Sequence, residues 1–80
     1  MNKAEILAKI ETIFQKVFND STLHITEESN ANTVDKWDSL HHITLLSMIQ
    51  EDFGITLDID EVISIENIGD IVKILDEKGV

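Results

Sequence analysis

Apolar residues recur at helical spacing in three segments of this chain, and this pattern constrains its fold more than any other feature. The first segment covers roughly residues 3 to 18, the second about 39 to 53, and the third begins after Asn67. Because an amphipathic helix must bury its apolar stripe against another element, these segments predict helices packed on a shared core. A chain of 80 residues has room for one domain, residues 1–80, whose marginal core needs every stripe.

Each of the three long helices is preceded by a residue that caps helices well. Asn2 with Glu5 three residues later has the pattern of a capping box, and Asp38 precedes the second helix. Asn67 precedes the last helix, with Asp70 at its third position. These signals place the helix starts more firmly than the apolar pattern does alone.

The segments between the helices differ in character. Residues 19–37 show no sustained helical or strand period, and a loop of this length is usually functional or disordered. Scattered apolar residues favour an ordered loop laid across the helices, with Trp37 as an aromatic plug over the core. Gly54 ends the second helix, and Asp58 or Asp60 then caps a brief third helical turn.

The second helix separates into two faces on a helical wheel. Its core side holds Leu45, Leu46, Ile49 and Phe53, with Ile43 at the margin. The side expected to face solvent holds Leu40, Thr44, Ser47, Met48 and Glu51. His42 falls inside the apolar stripe, so we expect it to be half-buried and hydrogen-bonded, whereas His41 is expected at the surface.

Charge and composition exclude several classes of function. Sixteen acidic residues face six lysines, which gives a formal net charge of −10 and argues against binding nucleic acid. No lysine or arginine lies between Lys36 and Lys73, so partners are expected to present basic surfaces. The chain has no cysteine, and any thiol must come from a cofactor. It also has no apolar run approaching a membrane span of roughly 18 residues, so we expect a soluble, cytoplasmic protein.

The tripeptide Asp38-Ser39-Leu40 is the principal candidate site. Ser39 falls in the first turn of the second helix, where its hydroxyl should be exposed. The first backbone N–H groups of a helix are unpaired and the helix dipole is positive there, so a phosphodiester on Ser39 would be favoured by roughly 0.3–1 kcal/mol. Ser39 is therefore a plausible point for covalent attachment.

Other chemistries fit these residues less well. Ser39 and His42 lie one turn apart, but a serine hydrolase also needs an orienting acid, an oxyanion hole and a substrate pocket. Asp38, His41 and His42 could supply ligands to a metal, although no dedicated constellation surrounds them. No stretch matches the calcium-binding loop of an EF-hand.

Asp38-Ser39-Leu40, together with Glu51-Asp52-Phe53-Gly54-Ile55 and Ile68-Gly69-Asp70-Ile71, resembles the acyl carrier proteins over nearly the whole chain. The resemblance implies an all-α, four-helix bundle with a long loop between helices 1 and 2 and a short third helix. It also implies that Ser39 carries 4'-phosphopantetheine covalently, with Asp38 and Leu40 completing the attachment motif. Such a carrier catalyses nothing itself.

The resemblance also suggests partners for the chain. A phosphopantetheinyl transferase would move the arm from coenzyme A to Ser39 in a magnesium-dependent reaction. Enzymes that load or transfer acyl or aminoacyl groups would then dock through basic surfaces on a monomeric carrier. The expected docking residues are Leu40, Thr44, Ser47, Met48 and Glu51.

Two further inferences concern the pathway and the rival function. Lys36-Trp37 stands where the housekeeping fatty-acid carrier usually has a glycine-containing sequence, which favours a dedicated carrier of a secondary or cell-surface pathway. The rival is a cofactor-free, acidic helical module for protein interaction. Covalent modification of Ser39 separates the two functions.

Overall fold

The computed structural model describes residues 1–80 and contains four α-helices and no β-strand. The helices are α1 (Lys3–Val17), α2 (Ser39–Phe53), α3 (Ile59–Ser64) and α4 (Ile68–Glu77). The all-α class, the long loop between α1 and α2 and the short third helix are confirmed. None of the four helices combines the length and the apolar character that a membrane crossing requires.

Side chains cap the start of every helix. In α1, α3 and α4 the cap is a reciprocal capping box, in which the N-cap side chain accepts from a backbone N–H in the first turn and a first-turn side chain accepts in return. The pairs are Asn2 with Glu5, Asp58 with Glu61, and Asn67 with Asp70. Of the two candidates to cap the third helix, Asp58 is the one that does so, and a cap is worth about 1 kcal/mol to such a short helix.

The core forms where α1 packs against both α2 and α4. Fourteen buried apolar residues make one continuous cluster, and α3 contributes none of them. From the helices they are Ile6, Ile10, Ile13, Phe14, Leu45, Leu46, Ile49, Ile68, Ile71, Val72 and Leu75. The remaining three, Ile25, Val34 and Trp37, come from the long loop. The loop is therefore part of the core, as its scattered apolar residues predicted.

The long loop is also hydrogen-bonded to the start of α4. The N–H of Ile68 donates to the carbonyl of Ser29 at 2.9 Å, and the N–H of Gly69 donates to the carbonyl of Glu27 at 2.7 Å. Both donors belong to the first turn of α4 and have no partner inside their own helix. A Cβ atom on Gly69 would lie 3.0 Å from the Glu27 carbonyl oxygen, so glycine permits this close approach.

Three positions of α2 differ from the wheel prediction. Ile43, expected at the margin of the core, is 67% exposed, and Phe53, expected inside it, is half-buried. Met48 was expected to face solvent, but it is half-buried and packs against the core. Ile43 and Met48 lie at opposite margins of the apolar stripe, where neighbouring elements decide exposure and helix periodicity does not. The long, flexible side chain of Met48 is suited to filling such an edge.

We predict that Gly69→Ala destabilises the protein. In an ordinary exposed helix position this change stabilises by about 0.5–1 kcal/mol, but here the new methyl group must displace the Glu27 carbonyl. We expect a net loss of about 1 kcal/mol in the free energy of unfolding, measured by urea titration. Asp76→Ala, an exposed change in the same helix, is the control and should have little effect. A Gly69→Ala variant more stable than the wild type would contradict the role of this contact.

Candidate functional site

Ser39 is the first residue of α2, and its side chain is exposed. Its hydroxyl makes no hydrogen bond within the chain, so the oxygen is free for chemistry. The preceding residue, Asp38, has extended backbone geometry and caps the helix by accepting from the backbone N–H of His41 at 2.9 Å. A group bonded to the Ser39 oxygen would therefore leave the fold from the positive end of a 15-residue helix.

The backbone N–H and the imidazole of His41 both contact the carboxylate of Asp38. Its Oδ1 also lies 2.8 Å from Nδ1 of His41, and the imidazole of His41 stacks on Phe18 with ring centroids 5.0 Å apart. The backbone N–H of His41, followed by its imidazole, lowers the pKa of Asp38 below its ordinary value of 3.8. His41 was expected at the surface, but its side chain is only 34% exposed because it covers Phe18 at the end of α1. Sequence periodicity carried no signal for this contact.

Trp37 and His42 form a second pair beside Ser39. Trp37 is 7% exposed and packs edge-on against Phe14 with ring centroids 5.1 Å apart. Its Nε1–H donates to Nδ1 of His42 at 3.1 Å, and burial of the imidazole lowers the pKa of His42. The predictions of a plugging tryptophan and of a half-buried, hydrogen-bonded His42 are both confirmed.

A recess of about 410 Å³ opens next to Ser39. Its walls include Trp37, Asp38, Ser39, His42, Ile43 and Glu66. Trp37 therefore has two roles, since one part of the ring system fills the core and another forms the wall of the recess. Most of the exposed area inside the recess is apolar, although two carboxylates stand among its lining residues.

The arrangement does not support the competing chemistries. His42 uses Nδ1 to accept from Trp37 and makes no hydrogen bond to Ser39, so the pair lacks the nucleophile–base contact of a hydrolase. Asp38 pairs with His41, while His42 pairs with Trp37, so the three side chains do not converge. No group of three or more histidine, aspartate or glutamate side chains has a geometry that could hold a metal ion.

The residues expected to meet partner enzymes lie along one stretch of α2. Leu40 is 72% exposed, and Thr44, Ser47 and Glu51 are also exposed. Met48 contributes only its exposed part to this stretch, because its side chain is half-buried. Ile43, which was expected at the margin of the core, is an additional exposed apolar residue close to Ser39.

Comparison with known proteins gives a consistent result. Residues 8–75 match the family model described as "Phosphopantetheine attachment site". A solved structure of holo acyl carrier protein from Geobacter metallireducens has 33% sequence identity with this chain and superimposes with a TM-score of 0.84. The match covers 91% of this chain and 84% of that one. No curated protein sequence matches the chain significantly.

We predict that His42 makes folding stability depend on pH. Burial lowers the His42 pKa in the folded state below 6.5, so its contribution is present above pH 6.5 and is lost as the pH falls through the folded pKa. Between about pH 8 and about pH 5, the wild type should therefore lose more unfolding free energy than His42→Gln does.

The comparison uses urea titrations of both proteins at each pH. Asp38 and Glu66, which line the same recess, are present in both, so their contributions cancel in the difference. Identical profiles for wild type and His42→Gln would contradict the prediction.

Proposed function

Because the chain belongs to the phosphopantetheine-attachment family of acyl carrier proteins, we propose that it carries acyl or aminoacyl groups as thioesters on an arm bonded to Ser39. The chain is a carrier and not an enzyme, and its cofactor is covalent 4'-phosphopantetheine. When bound, the arm supplies the thiol that a chain without cysteine cannot supply. The protein contributes the attachment point, the docking surface and a stable body.

The observation that carries this proposal is the position of Ser39. It is the one serine that is exposed at the start of a long helix. Ser21 and Ser29 lie in the loop, Ser47 lies in the middle of α2, and Ser64 is the last residue of α3. A phosphodiester at Ser39 would meet unpaired backbone N–H groups and the positive end of the helix dipole, which none of the other serines offers.

Asp38 and Leu40 complete the attachment site in different ways. Asp38 fixes the first turn of α2 through its cap, so the Ser39 oxygen has a defined position. Leu40, the residue after Ser39, is exposed to solvent, so a transferase bound over Ser39 would contact it. We propose that a phosphopantetheinyl transferase recognises Asp38 and Leu40 while it transfers the arm from coenzyme A in a magnesium-dependent reaction.

We further propose that Leu40, Thr44, Ser47 and Glu51 form the docking surface on α2, with Met48 at its edge. The absence of lysine and arginine between Lys36 and Lys73 makes this part of the chain acidic, which favours basic partner surfaces and faster encounter. In this account residues 1–80 act as one monomeric carrier domain in the cytoplasm. The Lys36-Trp37 sequence favours a dedicated secondary or cell-surface pathway over general fatty-acid synthesis.

Ser39→Ala should abolish loading without disturbing the fold. Incubation with coenzyme A, magnesium and a promiscuous phosphopantetheinyl transferase should add one phosphopantetheine and one titratable thiol to the wild type. The variant should show neither, and its stability should change by less than about 0.5 kcal/mol because Ser39 is exposed and its hydroxyl makes no hydrogen bond to lose. Intact mass spectrometry and a thiol assay measure the result.

Ser21→Ala is the control for this experiment, since Ser21 is exposed in the loop, and it should be loaded like the wild type. Loading of Ser39→Ala would show that the site is wrong. Failure of the wild type with several transferases would favour the cofactor-free interaction module.

Leu40→Ala and Met48→Ala should separate docking from folding. Truncating the exposed Leu40 should leave stability nearly unchanged and lower the transferase kcat/KM about tenfold, as expected for an apolar residue at the centre of an interface. Truncating the half-buried Met48 should cost about 1–2 kcal/mol of unfolding free energy. Ile63→Ala, equally exposed on α3, is the control and should change neither quantity. An unchanged rate for Leu40→Ala would remove it from the docking surface.

A further inference from the structure

The hydrogen bond between Trp37 and His42 decides which nitrogen of the imidazole carries a proton. Nδ1 of His42 accepts from Nε1–H of Trp37 at 3.1 Å, so Nδ1 has no proton and the neutral ring carries its proton on Nε2. Nε2 makes no hydrogen bond within the chain. Since no buried side-chain nitrogen or oxygen lacks a partner, Nε2 must reach solvent. His42 therefore presents a fixed N–H donor at the protein surface.

His42 is also one of the residues that line the recess next to Ser39. Trp37 and Ile43 give the recess its apolar walls, and Ile43 is 67% exposed although it is a large aliphatic residue. Asp38 and Glu66 place two carboxylates among the lining residues. The recess thus combines apolar surface with the imidazole of His42, and its two carboxylates disfavour a free anion.

We propose that this recess holds the pantoyl part of the arm carried by Ser39. The geminal methyl groups pack against Trp37 and Ile43, and an amide carbonyl of the arm accepts from Nε2–H of His42. The inference rests on the proposed attachment at Ser39. It adds that the arm has a preferred resting position on this chain, set by residues outside the attachment tripeptide.

Connectivity and charge support this occupant. Ser39 itself lines the recess, so the part of the arm nearest the phosphate lies beside the recess whatever the position of the thiol end. The phosphodiester stays at the helix start, where it meets unpaired backbone N–H groups. The segment that follows is uncharged and combines methyl groups with amides, which matches the apolar walls and the imidazole of the recess.

The test is nuclear magnetic resonance of the loaded chain carrying 13C-labelled geminal methyl groups. We expect nuclear Overhauser contacts between these methyl groups and the ring protons of Trp37, which is the only tryptophan. The methyl resonances should shift from those in free 4'-phosphopantetheine because the methyl groups lie beside the indole ring. The Nε2 proton of His42 should exchange several times more slowly with water in the loaded chain than in the unloaded chain.

Two exposed isoleucines provide a matched pair of variants. Ile43→Ser removes a wall of the recess and should weaken the methyl contacts to Trp37 severalfold, whereas Ile63→Ser on α3 should leave them unchanged. Neither residue belongs to the buried core, so both variants should fold.

The possible failures are distinguishable. Complete loading by intact mass, with methyl resonances like those of the free arm and no contacts to Trp37, would overturn the recess and leave the attachment at Ser39 standing. Contacts that survive Ile43→Ser unchanged would also overturn it. An absence of loading on Ser39 would remove the proposed function and this inference together.

Discussion

The burial of Trp37 is the interaction on which the rest of the structure depends. Its ring packs edge-on against Phe14 in the core, and its Nε1–H is bonded to His42 on α2. Removing a buried tryptophan side chain typically costs about 3–5 kcal/mol, which is a large share of the roughly 5–15 kcal/mol that keeps a domain folded. Because Trp37 lies two residues before Ser39, the same contact fixes where the candidate site begins.

The backbone is strained at Lys36, the residue that precedes the buried Trp37. Lys36 has a φ of 70°, the left-handed conformation that glycine adopts most easily, at a cost on the order of 1 kcal/mol. Burial of Trp37 offsets that cost. A second anchor is the contact of the loop with α4, where the carbonyl of Glu27 accepts from the N–H of Gly69. Held at both points, the long loop leads to Asp38, whose cap places Ser39 at the start of α2.

The caps and most of the core could be predicted because they depend on local sequence. A polar cap followed three residues later by a glutamate or aspartate leaves few alternatives to a helix start, as Asn2 and Asn67 illustrate. The exposure of Ile43 and the burial of Met48 could not be predicted in this way. Both lie at the margins of the apolar stripe of α2, where the packing of neighbouring elements decides exposure.

The candidate site also has some features that could be predicted from the sequence and others that could not. The cap by Asp38 and the exposure of Ser39 follow from the helix start, so the sequence was sufficient to predict them. The stacking of His41 on Phe18 and the recess beside Ser39 require contacts between residues distant in the chain. No spacing rule specifies such contacts.

Peptide-level mass spectrometry of the protein isolated from the cells that make it tests the central claim most directly. The account predicts that the peptide containing Ser39 carries one phosphopantetheine, and that a fraction of the arms bear an acyl or aminoacyl group as a thioester. An unmodified Ser39 in protein from cells that load other carriers, or an arm bonded to a different serine, would contradict it.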